Sequence, residues 1–258
     1  MRRYTARARR LTNRVVSAGL AALLFVAIVP CPARAQDASG AASQHGLAVS
    51  FLSDVGHDYR NFFSVETAWW LGSGGAAAAG VHQADQSIAD WAQSNSLAMP
   101  GGDLYGSQLV QIPVAIVWWW AGSAAGSTRQ ADAGRDLLRS QLLVAGWTYG
   151  IKVAADRTRP NGERWSFPSG HASTSFAVAS VLQDHFGWKA GVPAFAAAAY
   201  TGVTRIGDNW HWTSDVVFGA ALGIAAGRTV TFHLRDTKVT LSPVPVPGGV
   251  GVTLTALR

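Results

Sequence analysis

Blocks rich in alanine, leucine, valine and tryptophan follow one another along this chain, each ending in a short run of Gly, Pro, Asn or Asp. That pattern limits the fold more than any other feature. The blocks are too long for ordinary strands, and alanine favours helix because it loses no side-chain entropy on entering one. They predict helices over residues 47–58, 66–82, 85–93, 106–121, 131–156, 172–186, 192–204 and 210–234. The intervening segments, such as 94–103 and 158–169, are rich in Gly, Pro, Ser and Asn and read as loops. No internal repeat is present, so the expectation is one all-α domain, a helical bundle. The character changes at Val239, where β-branched residues alternate with prolines at 243, 245 and 247 before Gly248-Gly249. A short hairpin or an irregular extension is expected over 239–258.

The first 35 residues stand apart. Arg2, Arg3, Arg7, Arg9, Arg10 and Arg14 form a basic start, an apolar run spans 15–29, and Pro30, Pro32 and Ala33-Arg34-Ala35 follow. This is the layout of a secretory signal peptide with a small-x-small cleavage site. The expected organisation is therefore a signal peptide over 1–35, a helical domain over 36–238 and an extension over 239–258, in a protein exported to the periplasm or cell envelope. The leader holds seven of the 21 Lys and Arg and none of the 15 Asp and Glu. What remains has 14 basic against 15 acidic residues, a formal charge of −1, which removes the case for a nucleic-acid partner. The single cysteine, Cys31, lies in the leader, so the mature chain offers neither a disulfide nor a thiolate metal site.

The best candidate for a membrane span is the uncharged stretch 104–128, with Trp118-Trp119-Trp120 near its end. It is interrupted by Gln108, Gln111 and Pro113, and the other helical segments are too short or carry charge. A soluble chain, or one that touches a membrane surface, is the expectation.

Three runs carry chemistry. The first is Lys152 to Pro160, KVAADRTRP, with Lys152 and Arg159 seven residues apart. Proline disfavours helix for the residue before it, so Arg159 is expected from the turn that ends the helix. Lysine offers a point charge and arginine a planar fork for two phosphate oxygens. The second run is Pro168-Ser169-Gly170-His171. Ser169 can cap the following helix, Gly170 lets backbone approach an anion, and His171 falls in the first turn. The third is Arg205 to Asp215, RIGDNWHWTSD. If Asp208 or Asn209 capped a helix through this run, His211 and Asp215 would share one face at i,i+4. A carboxylate on one ring nitrogen would fix the tautomer and leave the other nitrogen free to attack.

The three runs resemble the three motifs of the type 2 phosphatidic acid phosphatase superfamily, which includes bacterial non-specific acid phosphatases and vanadium haloperoxidases. The pattern is Lys-x6-Arg-Pro, Pro-Ser-Gly-His and Ser-Arg-x5-His-x3-Asp. Every position is met except the first of the third motif, where Thr204 replaces serine. The resemblance spans 152–215 and implies the helical bundle of that superfamily and a metal-independent phosphatase without cofactor. His211 would form a phosphohistidine, Asp215 would orient it, and His171 would protonate the leaving oxygen. Lys152, Arg159, Ser169, Gly170 and Arg205 would hold a phosphate ester or lipid phosphate. Two alternatives share the same cradle, a vanadium-dependent haloperoxidase and a non-catalytic anion-binding envelope protein. Outside the motifs, Trp165 is the tryptophan expected near substrate, and Asp156, Arg157 and Arg164 are expected just behind the site. His57, His82 and His185 are expected at the surface or as satisfied core residues, as are His45 and His233.

Overall fold

The computed structural model describes residues 44–95, 100–232, 238–246 and 249–257, with side chains over 50–95 and 100–232. The leader expected over 1–35 and its expected cleavage site lie outside the described residues, as do the side chains of His45 and His233. The helices are α1 (Gln44–Asn61), α2 (Val65–His82), α3 (Asp85–Ser94), α4 (Gly102–Gly106) and α5 (Gln108–Ala124). They continue as α6 (Thr128–Ala155), α7 (Gly170–Phe186), α8 (Trp188–Gly207) and α9 (Thr213–Val230). The domain is all-α, as the alanine-rich blocks predict.

Local chemistry accounts for most boundaries. Ser64 and Ser107 cap α2 and α5 by accepting from the Thr67 and Leu109 amides. Because Ser107 is extended, the helix predicted over 106–121 starts at Gln108, and a separate short helix, α4, runs from the end of the segment read as a loop to Gly106. Asp156 ends α6 in the left-handed region at φ 42°. Gly187, at φ 76°, ends α7 and starts α8 within one residue, so α8 begins four residues earlier than predicted.

α6, α7 and α9 form the centre of the bundle. Leu143, Val144, Val181 and Leu222 have no exposed surface, and Phe62, Leu137 and Val230 pack with them. α7 and α9 approach closely because α9 presents Gly219, Gly223 and Gly227 to α7. A Cβ on Gly223 would lie 2.2 Å from the Ser173 carbonyl oxygen, and one on Gly219 would lie 2.7 Å from that of Ser169. This contact brings the second and third sequence runs together: the Ser169 amide donates to the Asp215 carbonyl at 3.0 Å. Farther along the bundle, His185 is a satisfied core residue, its Nε2 3.0 Å from Asp136.

The tail is a hairpin, β1 (Lys238–Val246) antiparallel to β2 (Gly249–Leu257), with Lys238 opposite Leu257. Pro243 and Pro245 lack amides on the same side of β1, which a strand with a free edge tolerates. Among the described residues no helix is long and apolar enough to cross a membrane.

The α7–α9 contact makes a stability prediction. Gly223→Ala gains roughly 1 kcal/mol of helix propensity, but its methyl meets backbone, which cannot yield cheaply. Urea denaturation should show a net loss of about 1–3 kcal/mol; a variant more stable than the parent would mean that the helices separate freely.

Candidate active site

The loop from α6 to α7 delivers the first two cations differently. Lys152, in the last turn of α6, is buried, and its Nζ donates to the Trp165 carbonyl at 2.6 Å and the Ser166 carbonyl at 3.4 Å. Burial first, and the Arg159 charge second, bring its pKa down to about 8. Arg159 leaves the helix, as Pro160 requires, and its amide donates to the Glu163 carbonyl at 2.7 Å. Its guanidinium lies 5.0 Å from the Trp210 ring centre and donates to Glu163 at 3.0 Å. Ser169 is the N-cap of α7, with its Oγ accepting from the Ala172 amide at 3.4 Å. A Cβ on Gly170 would meet only Thr148, at an ordinary 3.7 Å. Packing therefore does not demand glycine there.

His171 stands in the first turn of α7. A Cβ on Gly106 would come within 2.8 Å of the His171 Cβ, so the end of α4 presses directly on it. Burial, then Lys152 and Arg159, lower its pKa below the usual histidine value. Arg205 is buried near the end of α8, with its guanidinium between Asp103 and Asp208, the latter at 2.7 Å.

His211 and Asp215 meet by a route other than a shared helical face. Asn209 adopts φ 63°, a left-handed conformation that a helix cannot pass through, so the helix predicted over 210–234 starts at Thr213. His211 precedes it in a turn whose amide bonds to the Arg205 carbonyl at 3.2 Å. Neither Asp208 nor Asn209 is the cap. Instead Asp215, in the first turn of α9, reaches back to the Trp212 amide at 2.9 Å. The same Oδ2 accepts from Ser166 Oγ and lies 3.5 Å from His211 Nδ1, while Oδ1 accepts from Arg157 at 2.6 Å. Burial is the main reason that His211 drops to about 4, outweighing the pull of the Asp215 carboxylate 3.5 Å from Nδ1, while the Lys152 charge adds to the drop. At neutral pH His211 is uncharged.

A cleft of about 200 Å³ is lined by Asp103, Arg159, His171, Arg205, Trp210 and His211. Four of the eight predicted site residues line it, and Asp215 stands behind His211. Ser169 supports the wall as a cap, and Lys152 faces the loop carbonyls. A second cavity of about 220 Å³, lined by Arg60, Phe63, Trp70, Arg228 and Phe232 among others, lies at the far ends of α2 and α9 and contains none of the motif residues. The motif residues gather at the first cleft. Trp165, expected near substrate, does not line it; Trp210 does. Asp156 and Arg164 pair at the surface, at 2.5 Å, rather than behind the site. Arg157 is behind it, bonded to Asp215.

Sequence reading missed Asp103, Ser166, Ser214 and Asp85. Asp103 lay in a segment read as loop, and Asp85 showed only as the start of a helix. Asp85 accepts from Ser214 and Arg157; burial alone would raise its pKa, but these bonds outweigh it and lower it.

A histidine buried in its neutral form makes folding sensitive to acid. The folded pKa of His211 is below the unfolded value, so the stabilisation is complete above pH 6.5 and is lost as pH falls toward 4. His211→Asn should therefore lose less stability than the parent across that interval, by up to roughly 3 kcal/mol in urea titrations. Parallel curves for the two proteins would contradict a depressed His211 pKa.

Residues 146–238 match the family model described as PAP2 superfamily. The chain is 39% identical over 90 residues to a lipid A 1-phosphatase of Porphyromonas gingivalis, covering 33% of this chain and 20% of the relative. It is 28% identical over 120 residues to a lipid A 4'-phosphatase of Helicobacter pylori, covering 42% of this chain and 61% of the relative. The chain thus spans about a fifth and about three fifths of these two proteins. Its fold is similar to the crystal structure of a transmembrane PAP2-type phosphatidylglycerolphosphate phosphatase from Bacillus subtilis. That likeness has a TM-score of 0.54 at 19% identity and covers 74% of this chain and 97% of the other. The matched segment runs from the end of α6 through α9 and contains all three motifs, whose residues Arg159, His171, Arg205 and His211 meet at one cleft; over that segment the chain is similar to the PAP2 superfamily.

Proposed function

We propose that this chain is a phosphatase that hydrolyses phosphate monoesters or lipid (pyro)phosphates through a phosphohistidine on His211. The observation that carries the reading is a neutral, buried His211 backed by Asp215 and facing a cleft whose walls hold Arg159, Arg205 and His171. A phosphate in that cleft meets two guanidiniums, which stabilise charge on its oxygens as the transition state forms. With Nδ1 turned to Asp215, Nε2 keeps its lone pair. It attacks phosphorus, a P–N bond forms, and the bond from phosphorus to the leaving oxygen breaks. His171 gives its proton to that oxygen. Water then attacks phosphorus, His171 takes a proton from it, the P–N bond breaks, and phosphate and neutral His211 are regenerated. Lys152 holds the loop that carries Ser166, and its charge adds to the positive field of the cradle.

The lipid A phosphatases among the relatives favour a lipid phosphate as the physiological substrate. The outward-facing apolar residues of α5, Leu109, Val117 and Trp120, favour contact with a membrane surface, Leu109 being 88% and Trp120 71% exposed. With a leader over 1–35, the working place would be the cell envelope, and the domain over 36–238 would carry the whole site.

The test is phosphate release from para-nitrophenyl phosphate and from detergent-solubilised phosphatidate, with EDTA present. The parent should release phosphate from at least one of them, and vanadate should inhibit by occupying the cradle. His211→Ala should reduce turnover by roughly three orders of magnitude or more. Equal rates in parent and variant would remove His211 as the nucleophile.

A further inference from the structure

We infer that Asp85, on a helix outside all three motifs and outside the matched segment, is a positioning residue of this site: it fixes Arg157, which fixes Asp215 against His211. The inference rests on the proposal that His211 is the nucleophile.

Asp85 opens α3 and is 4% exposed, yet each of its oxygens is used. Oδ1 accepts from the Ser214 amide at 2.9 Å. Oδ2 accepts from Ser214 Oγ at 2.5 Å and from Arg157 Nη2 at 2.8 Å, and lies 2.9 Å from His82 Nδ1. The other terminal nitrogen of Arg157 donates to Asp215 Oδ1 at 2.6 Å and to Ser214 Oγ at 2.7 Å. One guanidinium therefore bridges two buried carboxylates, and its planar fork sets their separation. The Trp212 ring, with its centre 5.6 Å from Arg157 Cζ, limits its swing.

The consequence for His211 lies in which oxygen is left. Arg157 takes Oδ1 of Asp215, so Oδ2 faces the Trp212 amide, Ser166 and His211. Without Asp85, Arg157 would be free to turn along the carboxylate of Asp215 or outward into solvent, which its side chain already touches at 23% exposure. Asp85 also holds the backbone of Ser214, which lies between His211 and Asp215. Both actions converge on the first turn of α9. A surface acid with a single ion pair would contribute little. A buried acid with four contacts, two of them to Ser214 on the segment that aims the nucleophile and a third to the Arg157 that bonds Asp215, acts on geometry.

The experiment compares Asp85→Asn and Arg157→Lys with the parent and with His211→Ala, after circular dichroism confirms folding. Either substitution should lower kcat for the ester roughly 10- to 100-fold and leave KM within about twofold. Asp85→Asn added to Arg157→Lys should cost little more, because both act through one contact. If Asp85→Asn does not fold, Arg157→Lys carries the same expectation, since lysine keeps the charge but cannot bridge both carboxylates. A second readout needs no turnover: side-chain 1H–15N NMR should show His211 as a single Nδ1–H tautomer in the parent and a tautomer mixture in the variants. An unchanged His211 signal, or an unchanged kcat in a protein that His211→Ala inactivates, would overturn the inference. A parent without activity on any ester would instead defeat the phosphatase reading, and the NMR comparison would still decide the role of Asp85.

Discussion

Asp215 has no exposed surface, and a carboxylate removed from water costs several kcal/mol unless its oxygens find charged or hydrogen-bonding partners. It finds them in the Trp212 amide, Ser166 Oγ and Arg157. Each partner comes from a different part of the polypeptide. The amide is the N-cap of α9, Ser166 belongs to the loop before α7, and Arg157 follows the end of α6 and is held in turn by α3. Satisfying one buried acid thus ties four elements of the bundle together. His211 is placed by the same arrangement, because the turn that carries it is closed by Asp215.

The cleft in front of His211 gathers like charges. Lys152 and Arg159 act on each other there, Arg205 lines the same cleft, the acids beside them are Asp103, Asp208, Glu163 and Asp215, and burial pulls Lys152 and Arg205 toward their neutral forms. In the proposed function, such a grouping of cations is matched to a dianion. Burial first, and the neighbouring positive charges after it, lower the pKa values of His171 and His211. An incoming phosphate would reverse that bias, favouring the protonated His171 that leaving-group departure requires while leaving His211 shielded beside Asp215. In the proposed mechanism, acid and nucleophile roles are separated by what each ring faces rather than by residue type.

Much of this was legible in the chain. Helix content followed from alanine-rich blocks, Ser169 as a cap from its place after proline, and Arg159 as a loop residue from Pro160. What sequence could not supply was long-range partnership. Asp85 lies 72 residues before Arg157, and nothing in its own neighbourhood marks it as other than a helix start. Asp103 sits on a helix of five residues, too short to show a period. The third run misled in an instructive way. The i,i+4 spacing of His211 and Asp215 suggested a helix, but Asn209 takes a left-handed conformation and the pair meets through a capping turn. The spacing served the chemistry while the backbone reached it differently. The glycines of α9 were visible as residues but not as a contact surface, because only the facing carbonyls of α7 show why a side chain there would not fit.

The central claim is that His211 carries the phosphoryl group during turnover. Rapid-quench trapping with a 32P-labelled ester, followed by peptide mapping under alkaline conditions that preserve phosphohistidine, addresses it directly. Label should appear on His211 within the first turnover, decay as phosphate is released, and be lost in the His211→Ala variant. Turnover with no labelled protein, or label on another residue, would contradict the account.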